Sequence, residues 1–161
     1  MARQMSNLSV RMIGVFAKLP YRFLMNVGDY IGEYKDVPPN VHLESWYPQP
    51  AVIPHVDLFI HHGGNNSFNE ALYFGKPALI MPFCWDGLDN AARIHDTGYG
   101  DQLPRYTWTD EELANAVARL IADQPMKKRL AEVSRHMQAA KGTEKAARIL
   151  AEVATKGSFN P

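Results

Sequence analysis

The stretch that decides the fold is Phe59–Pro82, FIHHGGNNSFNEALYFGKPALIMP. It sits inside a longer pattern. VDLFIH (56–61) reads as a buried strand and SFNEALYFG (67–75) as a helix with its stop signal at Gly75. KPALIMP (76–82) reads as a second strand closed by Pro82. The turn between the first strand and the helix is HGGNN (62–66). Gly63 and Gly64 permit positive φ and close backbone approach. Asn65, Asn66 or Ser67 can cap the helix. The first helical turn leaves amide donors unpaired and carries partial positive charge, which suits a phosphate. His62 adds a donor that charges near neutral pH. Glu70, one turn in, can accept bonds from two adjacent hydroxyls such as a ribose offers. Together these groups make a cradle for a nucleotide diphosphate. The competing reading is a tight turn with a well-capped helix and no ligand. A His61–His62 metal pair is disfavoured, because strand neighbours point to opposite faces and no second cluster completes a site.

Upstream, Met5, Leu8, Met12, Phe16 and Leu19 recur at helical spacing, and Pro20 ends that helix. YRFLMNV (21–27) and NVHLES (40–45) are strand candidates separated by a loop from Gly28 to Pro39. WYPQPAVIPH (46–55) holds three prolines and is read as a loop with at most one helical turn. Downstream, DNAARIHDTG (89–98) is a helix ending at Gly98, and DQLP (101–104) a short edge strand. Thr109 with Glu112 three residues on forms a capping box for the helix 109–123. Pro125 is expected at the first position of the next helix. A third helix covers 143–155. Near-continuous apolar strands alternating with helices predict a Rossmann-like, doubly wound parallel sheet, which binds ligands at the carboxyl ends of its strands. Residues 1–155 are expected to form one domain, with 156–161 a frayed tail.

The composition agrees. Hydrophobic residues make up 46% of 161, enough for a packed core. Lys plus Arg equal Asp plus Glu at 17 each, so the basic field that non-specific nucleic-acid binding needs is missing. Cys84 is the single cysteine, which excludes an intrachain disulfide and leaves no basis for a cysteine zinc site. A cytoplasmic setting is the expectation. No run reaches the roughly 18 apolar residues of a membrane span, and Arg11 and Gly14 interrupt the N-terminal apolar stretch where a signal peptide would be unbroken.

Four sub-motifs follow one another in order: WYPQ at Trp46–Gln49, HGGNNSFNE at His62–Glu70, GKP at Gly75–Pro77 and PFCWDGLDNA at Pro82–Ala91. In order and spacing they resemble the donor-binding signature of family-one, UDP-dependent glycosyltransferases of the GT-B fold, of the bacterial small-molecule or macrolide type. The flanks, LPYRFLMNVG before and TGYGDQL followed by three helices after, are also similar. The resemblance therefore covers nearly the whole chain and implies the C-terminal, nucleotide-sugar-binding half of such an enzyme.

The resemblance implies a role for each matching residue. Trp46 would stack on the base and Gln49 would read its edge. Glu70 would hold the ribose hydroxyls. His62, the amides near Gly64, Asn66 and Ser67 would hold the two phosphates, and Asp86 would accept bonds from the sugar. Bland rivals stand beside these roles: Trp46 closing the core, Gln49 capping a turn, Asp86 serving as N-cap of the following helix. Asn90 and Ala91 are read as structural. The ligand that the resemblance implies is a UDP- or TDP-sugar, with neither cofactor nor metal expected. It further implies that in the complete enzyme a base outside this chain would deprotonate the acceptor hydroxyl. That oxygen would attack the anomeric carbon with inversion, while His62 would stabilise the leaving diphosphate.

Two features depart from the family pattern. Gly87 stands where a sugar-reading glutamine is usual, so the donor sugar need not be glucose, and Asp89 is a possible substitute reader. The family's N-terminal acceptor-binding domain has no counterpart, and the chain starts close to the first helix of the C-terminal half, without the strand that precedes it. The expectation is a fragment that is inactive alone, with the acceptor half supplied in cis or by a separate chain. The alternatives are a stand-alone subunit of a split glycosyltransferase and a non-catalytic nucleotide-sugar binding module; a sugar-nucleotide 2-epimerase is a more distant one.

Overall fold

In the computed structural model, the backbone of residues 2–156 is described, with side chains for 7–155. Of the tail expected to fray, 156–161, Lys156 ends the last helix and residues 157–161 lie outside the described residues.

The strand predicted in KPALIMP is the centre of the molecule. It forms β4, Ala78–Ile80, paired in parallel with β3 (Phe59–His61) on one side and β5 (Gly100–Gln102) on the other. All three of its residues are fully buried. Leu79 faces a core shared with α1 (Ala2–Phe16), α5 (Asp110–Ala122) and α6 (Gln124–Ala139). Ala78 and Ile80 face the opposite core, built from α3 (Asn65–Tyr73) and α4 (Asp86–Asp96). A strand covered on both faces has no polar side, which is why its sequence is an unbroken apolar run.

The two upstream strand candidates also form: β1 (Phe23–Asn26) pairs in parallel with β2 (Val41–Glu44). One detail differs from the expected single sheet. Among the described residues, β1 and β2 form one sheet and β3, β4 and β5 another, with no ladder between them. The two sheets are joined through side chains instead. Phe16 of α1 stacks on Phe23 of β1 with ring centroids 3.9 Å apart. Arg11 of α1 lies 3.9 Å over the ring of Trp108 and donates to its carbonyl at 2.8 Å.

The helix signals are borne out locally. Thr109 accepts the Glu112 N–H at 3.2 Å while Glu112 accepts the Thr109 N–H at 2.6 Å, a complete capping box. Gly75 ends α3 at φ 65°, with the Lys76 N–H bonded to the Ala71 carbonyl. Pro125 falls one residue later than expected, because Asp123 caps α6 through the Met126 N–H at 2.8 Å and the helix starts at Gln124. Two loops hold more helix than predicted. Gly28–Glu33 is a 3-10 helix, and α2 (Gln49–Val52) continues into a 3-10 turn at Ile53–His55 that buries Ile53. The last helix, α7, runs Gly142–Lys156. Among the described residues, no helix is long and apolar enough to cross a membrane.

Candidate functional site

β3 ends at His61, and the chain turns through His62, Gly63 and Gly64 into α3. Gly63 adopts φ 89°, a left-handed conformation that glycine takes without strain. A side chain there would also collide: a Cβ would lie 2.7 Å from the Gly87 carbonyl and 2.8 Å from Ile80. At Gly64 a Cβ would lie 2.5 Å from Nε2 of His62, so the second glycine makes room for that imidazole. Close approach of backbone thus demands glycine at 63, whereas at 64 the neighbour is the end of the exposed His62 side chain, which can shift.

The cap of α3 differs from the expectation. Asn65 and Asn66 are already helical and Gly64 is the N-cap, with no side-chain cap of its own. The Asn65 N–H is bonded instead to Oδ2 of Asp86, at 2.9 Å, from the start of α4. Asp86 is likewise not the N-cap of its own helix: Trp85 holds that place, at φ 50°. A carboxylate at a helix N-terminus is favoured by the macrodipole, and here it also ties α4 to α3.

A cleft of about 580 Å³ opens over this turn. It is lined by Trp46, Gln49, His62, Gly64, Asn66, Ser67 and Glu70. Seven of the eight predicted site residues, drawn from two distant segments, therefore share one cavity. Asp86, the eighth, is outside the lining but bonded to Asn65, which is part of it. Trp46 stands at one side, 70% exposed. Gln49 opens α2 and donates from Nε2 to Glu70 at 2.5 Å and to the Ser67 hydroxyl at 3.1 Å. The residues read as base reader, ribose holder and phosphate holder are thus linked by hydrogen bonds. The sequence reading missed Tyr47, Pro50 and Asn65 in the lining. Each adjoins a motif residue, and that adjacency was the available signal.

Two histidines in succession have opposite surroundings. His62 is exposed at the cleft. His61 points away, with its ring 4.7 Å from that of Phe59. Burial holds its pKa down to about 3, with the neighbouring His62 adding to the effect, so it is neutral at ordinary pH. The alternation expected for strand neighbours separates the pair, and among the described residues no group of three metal-ligating side chains occurs.

The Gly87 departure has a steric reason. A Cβ at Gly87 would lie 2.7 Å from the His62 carbonyl. The start of α4 and the His62–Gly63 turn meet backbone to backbone, so a glutamine has no room with this spacing. Asp89, considered as a substitute reader, is exposed and outside the cleft lining.

Comparison with known proteins identifies the family. Residues 27–153 match the family described as Erythromycin biosynthesis protein CIII-like, C-terminal domain. NDP-glycosyltransferase YjiC of Bacillus subtilis (strain 168) is 32% identical over 137 residues, which is 84% of this chain and 35% of that protein. Demethyllactenocin mycarosyltransferase of Streptomyces fradiae is 29% identical over 140 residues, 86% of this chain and 30% of that protein. The chain thus spans about a third of the length of the curated relatives it matches. Among solved structures, the glycotransferase of kitacinnamycin superposes with a TM-score of 0.84 at 31% identity, covering 91% of this chain and 39% of that one. CalG4, the calicheamicin glycosyltransferase, superposes at 0.83 with 25% identity, covering 92% and 38%. With its family match, its α/β fold and its conjoined motifs, the chain belongs to the Erythromycin biosynthesis protein CIII-like C-terminal domain family, the C-terminal half of GT-B glycosyltransferases.

Proposed function

We propose that this chain is the donor-binding half of an inverting glycosyltransferase. It holds a UDP- or TDP-hexose for transfer to a small-molecule hydroxyl. The observation that carries the proposal is the single cleft that gathers Trp46, Gln49, His62, Gly64, Asn66, Ser67 and Glu70. Its chemistry is graded along its length: an exposed indole for a flat base, a carboxylate for ribose hydroxyls, then the amino end of α3 for phosphates. Asp86, whose carboxylate accepts the Asn65 N–H at the start of α3, is the residue assigned to the sugar hydroxyls.

The reaction would divide between two halves. A base outside this chain takes the proton of the acceptor hydroxyl. That oxygen attacks the anomeric carbon on the face opposite the nucleotide, and the bond from carbon to the terminal phosphate oxygen breaks. Negative charge develops on the departing diphosphate. With the Asn65 N–H taken by Asp86, the amides of Asn66 and Ser67 and the imidazole of His62 would face that charge without needing to reorganise, which lowers the barrier. The scheme uses no metal. The acceptor half comes from the same polypeptide or from a separate chain, and without it this chain binds donor but does not transfer. A cytoplasmic setting, where nucleotide sugars are made, fits the single thiol of Cys84.

Calorimetric titration with UDP and with TDP, using Glu70→Ala as control, tests the proposal. Binding of at least one nucleotide that Glu70→Ala weakens by tenfold or more supports it. A folded chain that binds neither contradicts it. Supplying an N-terminal half from a relative then separates donor half from binding module: transfer supports the enzyme, and binding without transfer supports the module.

A further inference from the structure

Gly63 is held from both sides. Its N–H donates to Nδ1 of His61 at 3.0 Å, and its carbonyl accepts from Nδ2 of Asn90 at 2.8 Å. Asn90 lies on α4 and is 7% exposed. His61 ends β3. A strand and a helix therefore grip the two peptide bonds that flank one buried glycine. The next residue, Gly64, is the N-cap of α3, so the set of these peptides fixes where the first amides of α3 point.

The chemistry of His61 is specific. Because Nδ1 accepts the Gly63 N–H, the ring proton is on Nε2. Nε2 is buried and has no hydrogen-bond partner. An orphan donor of this kind is destabilising. A phenylalanine would stack on Phe59 without that cost, so the acceptor at Nδ1 is what the imidazole adds. Burial keeps the ring neutral, and the acceptor persists at ordinary pH.

We propose that His61 and Asn90 are positioning residues for the nucleotide diphosphate, clamping the Gly63 peptides so that the amides of Asn66 and Ser67 converge on the phosphates. This rests on the donor-binding reading above and deepens it. His61 and Asn90 touch no ligand in this scheme. They act through the turn, and their effect is confined to the phosphate end of the cleft.

The test compares His61→Phe, which keeps a ring but loses the acceptor, with His61→Asn, whose side-chain oxygen can accept the N–H two residues on. Asn90→Ala removes the other jaw. Affinities for UDP and TDP are measured beside those for uridine and thymidine, which lack the phosphates. The expected result is a loss of about tenfold for the diphosphates in His61→Phe and Asn90→Ala. Nucleoside affinity stays unchanged, and His61→Asn recovers most of the loss. Equal weakening of nucleosides and diphosphates, or no recovery by asparagine, overturns the proposal. If the wild-type chain binds no nucleotide, the donor-binding reading fails instead. The clamp is then read by ¹⁵N NMR, where Gly63 and Ser67 amide shifts must move in His61→Phe and return in His61→Asn. Unmoved shifts overturn the clamp. Should His61→Phe fail to fold, His61→Asn and Asn90→Ala carry the same comparison.

Discussion

Under the cleft, the His61–Gly64 turn and the start of α4 meet backbone against backbone, with Asn90 buried between them. Along its side, Trp46 and Gln49 reach in from a proline-rich segment, and the indole is mostly in solvent. The floor is fixed by close approach, so a change there strains the fold and the site together. The wall is fixed by a few side-chain hydrogen bonds, so a change there alters recognition and leaves the fold alone. A phosphate needs amides at set positions. A base needs only a flat face to rest on.

The most severe test of this contrast is Gly63→Ala. At φ 89°, with a Cβ 2.7 Å from the Gly87 carbonyl, the substitution combines backbone strain with a clash. It is expected to cost about 3 kcal/mol or more, read by urea denaturation, and to abolish nucleotide binding in whatever folded fraction remains. Next comes Gly87→Gln, which restores the residue usual in the family. Because the His62 carbonyl occupies the space, about 1–3 kcal/mol of overpacking is expected, with no gain of affinity for UDP-glucose over UDP. A stable variant with improved glucose selectivity would show that the floor yields.

The floor also sets a pH dependence. His61 is held at about 3 in the fold, against roughly 6.5 in the unfolded chain. Between these values the unfolded state binds the extra proton. The stability from the neutral ring is therefore present above about pH 6.5 and lost as pH falls toward 3. Between pH 6 and 5 this histidine's slope approaches about 1.4 kcal/mol per pH unit. Denaturation at stepped pH measures it, and His61→Phe should flatten the curve. The smallest effect on stability belongs to the wall. Trp46→Ala, at a site 70% exposed, should change unfolding free energy by no more than about 0.5 kcal/mol. It should still weaken nucleotide binding by about tenfold or more, since stacking on a base is worth roughly 1–3 kcal/mol.

Much of this was legible in the sequence, for physical reasons. The apolar run of Ala78–Ile80 announced a strand covered on both faces, and the capping box at Thr109 and the stop at Gly75 marked helix ends through local chemistry. The glycines of the turn announced close approach, but not to what. That Gly63 is pressed against Gly87, and that Asp86 caps α3, are contacts between residues more than twenty positions apart. No local rule reaches that far. For the same reason Gly87 reads in sequence as a lost sugar contact, whereas in the fold it is a packing requirement. The division into two sheets was equally out of reach, because periodicity identifies strands and not their neighbours.

The central claim is that the amino end of α3 receives the diphosphate. A ¹⁵N-labelled sample titrated with UDP and with TDP tests it most directly. The account predicts the largest amide shifts at Gly64, Asn66 and Ser67, with Trp46 indole and Glu70 following, and no response around Gly98 and Arg129 at the far end of α4. Shifts centred away from the His62–Ser67 turn, with the chain folded and nucleotide bound, would contradict it.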